Sequence, residues 1–331
     1  MVWLIFAASA AVVVLAAIKL ADYGDVISAR TGLGGMFIGT IFMAAATSLP
    51  ELLTAANAIR NGVLSLTVGD IFGSSMFNML LIALLDLAFH NMRVLRRVAI
   101  SHAMSAGLAV FMMTMAIFFI IADLDITLGW VGLDSILLII GYLFGMWLIR
   151  NSRFSLAVES EVVDEAELAK MISLRRAVIG YLVCAGILVG VTPIMVRSAI
   201  GITEVTGLTS GLVGVILVAI VTSLPEAVTT VAAVKIGAFD LAVGNLFGSN
   251  IFNMIILAMI DVFYTQGSLF AQVNPTMVLA GMIGLVMTAL AGLGNLAGVE
   301  RRIWIIEIDA LAIILVYGLG MWFLIQRGLV Q

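Results

Sequence analysis

Of the chain's 331 residues, 63% are hydrophobic and 11% charged, with a mean hydropathy of +1.22, far below the roughly 25% charged of soluble domains. That composition excludes a soluble enzyme or a nucleic-acid-binding domain as the body of the protein, and the net charge of −4 points to no nucleic-acid partner. The single cysteine, Cys184, cannot build a disulfide framework or a thiolate metal site within the chain.

Apolar windows fall at 2–18, 33–59, 66–89, 98–121, 128–149, 177–196, 208–233, 241–263, 276–296 and 304–326, each close to the length that crosses a bilayer. The first, "MVWLIFAASAAVVVLAAIKL", lacks the basic n-region of a signal peptide and is read as a retained span. The ten windows predict an all-α membrane protein. A polar break at 150–176 divides them five and five, giving a first unit 1–149, a linker 150–176 and a second unit 177–331. The linker's mixed charges fit a short amphipathic helix, and its acids, among them Glu159, Glu161 and Asp164, fit a solvated loop.

The two halves repeat. The pentapeptide Thr-Ser-Leu-Pro-Glu at 47–51 returns at 222–226, and this offset of 175 holds without gaps. "GDIFGSSMFN" at 69–78 meets "GNLFGSNIFN" at 244–253, Asp86 meets Asp261, Asp134 meets Asp309, and the "GMW" at 145–147 meets that at 320–322. Five helices per half force the second half to enter the membrane from the opposite side, an inverted-topology repeat. The basic residues divide accordingly. All Lys and Arg fall on one side of the predicted bundle except Arg60, Arg197 and Arg327, which predicts a cytoplasmic linker and both termini outside a cell (inner) plasma membrane.

The pentapeptide carries the chemistry. Pro50 and Pro225 each withhold an N–H from the preceding turn, so the helix is expected to kink or break and free a carbonyl, an arrangement tolerated at membrane depth where it lines a cavity or binds an ion. Thr47 and Glu51 stand four apart on one helical face, with Ser48 beside them, and the second half repeats this as Thr222, Ser223 and Glu226. Buried carboxylates in spans mark ion or proton pathways. Oxygen ligands without Cys or His suit Ca2+ or Na+. The i, i+4 pairs Ser74 with Asn78 and Ser249 with Asn253 complete a four-helix cage. Gly69, Gly73, Gly244 and Gly248 fit close helix packing as well.

With these motifs in place, the sequence strongly resembles the cation/calcium exchanger superfamily, and within it the sodium/calcium exchangers, over essentially the whole chain. The resemblance implies a core of helices 2–5 and 7–10, with helices 1 and 6 sliding across it to alternate access. It implies Glu51 and Glu226 as the main Ca2+ ligands with Thr47 and Thr222 contributing, and Ser48, Ser74, Asn78, Ser223, Ser249 and Asn253 helping to form Na+ sites. It further implies an antiporter rather than an enzyme, with Ca2+ and Na+ as transported ions, no cofactor, and a lipid-embedded monomer. Three departures stand out: Ala46 and Val221 replace a common Gly, Asp70 replaces an Asn that Asn245 retains, and Asn253 stands where potassium-dependent members place Asp. Proton-coupled members usually carry Gly-Asn-x-x-Glu, so Thr-Ser-x-Pro-Glu favours sodium coupling. The alternatives are a Ca2+/H+ or other cation/H+ exchanger and, from another class, an ion channel or a membrane scaffold that kept the fold without transport.

Asp70 is one turn before Ser74 on the same face. It is read either as an acid capping the start of its helix or as a modulator whose protonation competes with cations. Asp86 and Asp261, about 12 Å along a helix beyond the asparagines, are read as helix caps or as guards of an ion entrance. Asp134 and Asp309 open helices. His90 and His102 are assigned to a solvated basic loop.

Overall fold

Helices make up nearly all of the computed structural model, as a chain in lipid requires when every backbone group must be satisfied within its own segment. The structure describes residues 1–60, 64–89, 99–124, 126–151, 171–206, 220–265, 267–273, 277–297, 302–303 and 306–326. In the first half these form α1 (Val2–Thr31), α2 (Gly34–Phe37), a π-helical segment (Ile38–Met43), α3 (Ala44–Arg60), α4 (Leu64–Ala88) and α5 (Ala99–Ala122). A β1–β2 hairpin (Thr127–Leu128, Val131–Gly132) then leads into α6 (Leu133–Asn151). The second half contains α7 (Leu174–Thr206), α8 (Leu224–Lys235), α9 (Phe239–Asp261), α10 (Leu269–Gln272), α11 (Val278–Ala297), the β3–β4 hairpin (Arg302–Ile303, Ile306–Glu307) and α12 (Ile308–Gln326). Many bounds recur at the offset of 175: Thr31 and Thr206, Leu64 and Phe239, Ala122 and Ala297, Leu133 and Ile308, Asn151 and Gln326, and both hairpins strand for strand.

Among the described residues, eight helices are long and apolar enough to cross a membrane. Several predicted bounds need correction. The first span does not stop at 18: α1 continues through Lys19, whose ammonium bonds Asp22 at 2.9 Å, and ends where Gly32 adopts the left-handed conformation (φ 67°) that closes a helix C-terminus. The sixth likewise reaches Thr206 rather than 196. The predicted start at 128 falls on a strand of the first hairpin, and two-residue strands are too short to alter an apolar window; position 304 lies outside the described residues. Residues 208–219 of the 208–233 window, the linker from 152 to 170 with its predicted helix and acidic cluster, and His90 lie outside the described residues.

α9 is the buried axis. It packs against the π segment and against α3, α4, α5, α6 and α8, and almost every residue from Leu241 to Asp261 is buried. Close approach is built in at its glycines: a Cβ on Gly248 would collide with the backbone of Thr40, and one on Gly244 would stand 3.0 Å from the Met36 carbonyl. α1 and α7 lie along each other, and Arg30 at the end of α1 donates to the carbonyls of Met171 and Ile172 just before α7. α6 and α12 turn Ile140, Leu143, Phe144, Trp147 and Leu315, Leu319, Trp322, Phe323 outward, as lipid-facing spans do.

Candidate cation-binding site

In the first half, α2, the π segment and α3 run on without interruption from Gly34 to Arg60. Pro50 lies inside α3, so the expected break is instead a continuous helix preceded by a six-residue π segment. Such wide turns often accompany functional sites. In the second half the break is real: Ser223 (φ −84°, ψ 8°) precedes α8, and Pro225 sits in its first turn, where a missing N–H costs nothing.

These segments bring several of the predicted residues together, and all ten are buried. Thr47, Ser48, Glu51, Ser74, Asn78, Thr222, Ser223, Glu226, Ser249 and Asn253 are all at most 2% exposed. Ser48 Oγ donates to Glu226 Oε1 at 3.2 Å, joining α3 to α8, and the hydroxyls of Ser74 and Ser223 are 2.8 Å apart, joining α4 to the approach to α8. Thr47 donates to the Met43 carbonyl at 3.0 Å, and its oxygen lies 3.4 Å from Asn245 Oδ1 on α9. Glu51 is close enough to both Glu226 and Asp70 for their charges to interact.

Both carboxylate oxygens of Glu51, Glu226 Oε2, Asn78 Oδ1 and Ser249 Oγ are buried without a hydrogen-bond partner. Buried polar atoms in native proteins are almost always paired, and four of these five can only accept. A hard cation is the partner such a set of oxygens fits.

The remaining residues separate from this group. Asp70 is the seventh residue of α4, which begins at Leu64, so it does not cap the helix; it is half-buried. Asp261 is buried and accepts the N–H groups of Gly132 and Leu269, both at 2.7 Å. Asp134, in the first turn of α6, accepts from the Ser268 hydroxyl at 2.7 Å and from the Ser135 N–H at 2.8 Å. These two acids hold the hairpin and α10 against the ends of α6 and α9. Asp86 is buried beside Glu307 and Asp309, with ligand atoms of the three within 4.8 Å of one another. His102 is not solvated: it is fully buried, with Nε2 3.0 Å from Asp240 Oδ1, which ties α5 to the start of α9.

Sequence reasoning did not single out Ser75, Asn250, Thr288, Thr229 or Thr230. Asn245 Nδ2 donates to Thr230 at 3.0 Å and to Thr229 at 3.2 Å, which leaves its oxygen toward Thr47. Ser75 and Asn250 stand inside the repeated decapeptides, and the signal available there was that the two halves differ at this place.

The profile of the family described as "Sodium/calcium exchanger protein" matches residues 1–150 and 176–326. The sodium/calcium exchanger MaX1 of Methanosarcina acetivorans is 38% identical over 108 residues, 31% of this chain and 30% of that one. The inner membrane protein YrbG of Escherichia coli is 27% identical over 269 residues, 78% of each chain. A solved structure of the sodium-calcium exchanger NCX_Mj, soaked with Na+ and Sr2+, superposes with a TM-score of 0.67 over 97% of this chain and 99% of that one at 20% identity, a likeness of fold. The chain is therefore an integral membrane protein belonging to the sodium/calcium exchanger family.

Proposed function

We propose that the protein is a secondary antiporter that exchanges Na+ for Ca2+ across the cell's plasma (inner) membrane by alternating access to one midplane site. The observation that carries this reading is the set of buried, unpartnered oxygens on the repeated motifs, among them those of Glu51 and Glu226, two carboxylates at equivalent places in the repeat. Together they balance a divalent charge in a medium where one unpaired carboxylate is costly. In this reading Glu51 and Glu226, aided by Thr47 and Thr222, hold Ca2+, while Ser48, Ser223, Ser74, Ser249, Asn78 and Asn253 supply the Na+ sites. No cofactor is needed beyond the transported ions, and the protein works as a monomer.

Ten helices arranged as two inverted five-helix repeats, 1–149 and 177–331 about the linker 150–176, support alternation, because exchanging the conformations of the halves reverses the face to which the site opens. The recurrence of element bounds at 175 residues supports that arrangement. The division of Lys and Arg supports a cytoplasmic linker with both termini outside. The test is radiolabelled Ca2+ uptake into proteoliposomes under imposed Na+, K+ or H+ gradients. Uptake driven by an outward Na+ gradient is expected; uptake that follows only the H+ gradient would overturn sodium coupling. A Ca2+/H+ exchanger is the second reading, and the observation in its favour is Asp70, a third carboxylate within electrostatic reach of Glu51.

A further inference from the structure

We infer that Ser75 and Asn250, equivalent positions in the two halves, are positioning residues that fix which end of the Asn78 and Asn253 amides is presented to the transported cation. The inference rests on the exchanger reading above. An asparagine serves a cation only through its oxygen, and its two ends differ little in shape, so something must set which way the amide is turned.

The chain of bonds starts from an atom that can only accept. The Ser75 backbone carbonyl lies 3.2 Å from Asn250 Nδ2. That end of Asn250 must therefore be the NH2, and the same group reaches Thr288 Oγ1 at 3.2 Å. Thr288 gives its own proton to the Gly284 carbonyl at 2.7 Å, so it too offers only a lone pair. Asn250 Oδ1 is left to accept, and it does so from Asn78 Nδ2 at 3.1 Å. Asn78 thereby has its NH2 consumed and its Oδ1 turned elsewhere, buried and without a hydrogen-bond partner.

The second chain starts from the Ser75 side chain. Its hydroxyl donates to the Ile71 carbonyl at 3.0 Å, so its lone pairs face Asn253, whose Nδ2 donates to it at 3.1 Å. That bond fixes which end of Asn253 is the NH2, and so which end is the oxygen. One residue thus orients both asparagines, Asn253 through its hydroxyl and Asn78 through its carbonyl and Asn250. All of these groups are at most 1% exposed, so water cannot take over the bonds.

The experiment uses the full-length protein in detergent, measuring Na+ and Ca2+ affinity by calorimetry and folding by thermal melting. Ser75→Ala and Asn250→Leu should each weaken cation affinity by about tenfold or more, the usual effect of removing a partner that orients a ligand, while Ser75→Thr, which keeps the hydroxyl, should retain wild-type affinity. Folded variants that bind both ions as the wild type does would overturn the inference and leave the exchanger reading standing. Equal losses in Ser75→Ala and Ser75→Thr would also overturn it, because they indicate packing rather than orientation. Failure of the wild-type protein to bind either ion would remove the exchanger reading and this inference with it. If Asn250→Leu does not fold, Asn250→Ala, which also removes the acceptor of the Asn78 NH2, takes its place, while Ser75→Ala decides the Asn253 arm.

Discussion

Glu51 differs from its equivalent, Glu226, in its surroundings. Glu226 accepts from Ser48, whereas neither Glu51 oxygen has a hydrogen-bond partner. Glu51→Gln and Glu226→Gln keep shape and remove one charge each, so both variants should insert and melt normally yet lose essentially all Ca2+ exchange in proteoliposomes. Exchange at close to the wild-type rate in either one would rule out a shared divalent site. Asp70, deprived of its capping role by the start of α4 at Leu64, is left as a charge within reach of Glu51. Asp70→Asn should flatten the pH dependence of Na+-driven Ca2+ flux, and an unchanged profile would eliminate proton competition at this residue. The proposed ligands were legible in the sequence because an acid, a proline and a threonine seldom recur in register within apolar runs. His102 was misread because one histidine near a basic segment carries no periodic signal, and its partner Asp240 lies 138 positions away. Asn250 was passed over because its value lies in three bonds to distant elements.

At the level of elements, the repeat located nearly every helix but not the way each begins. Pro50 and Pro225 have identical local sequence, yet one lies within a continuous helix and the other opens one. Proline removes the same N–H in both, and the surrounding packing determines whether the turn before it widens into a π segment or unwinds. The hairpins escaped notice because four paired residues are invisible in a window wide enough to find a span. Their anchor is testable. Asp261→Ala strips the acceptor from two buried N–H groups and should destabilise the fold by about 2 kcal/mol or more, lowering the melting temperature without changing ion affinity. Gly248→Val would drive side-chain carbons into the backbone of Thr40 and should prevent α9 from seating, seen as loss of monodisperse protein. A normally folded Gly248→Val would mean that this close approach is dispensable.

At the level of the whole molecule, the orientation reading predicts that single cysteines placed at Arg60 and Lys235, equivalent at the offset of 175, in a Cys184→Ser background react with membrane-impermeant reagents from opposite faces. Labelling from the same face would refute the inverted arrangement. The buried axis has a larger consequence. α9 belongs to the second half by sequence but is packed mainly among elements of the first, and α1 lies along α7 rather than within its own half. Neither half can seal its core from its own residues, so each is the other's template. Residues 1–151 and 171–331, synthesised as separate polypeptides in one cell, should therefore find each other and co-purify, while either fragment alone should be degraded. The protein is in effect a heterodimer written as one polypeptide, and the peptide link serves delivery: every copy of one half arrives in the bilayer with its complement already attached.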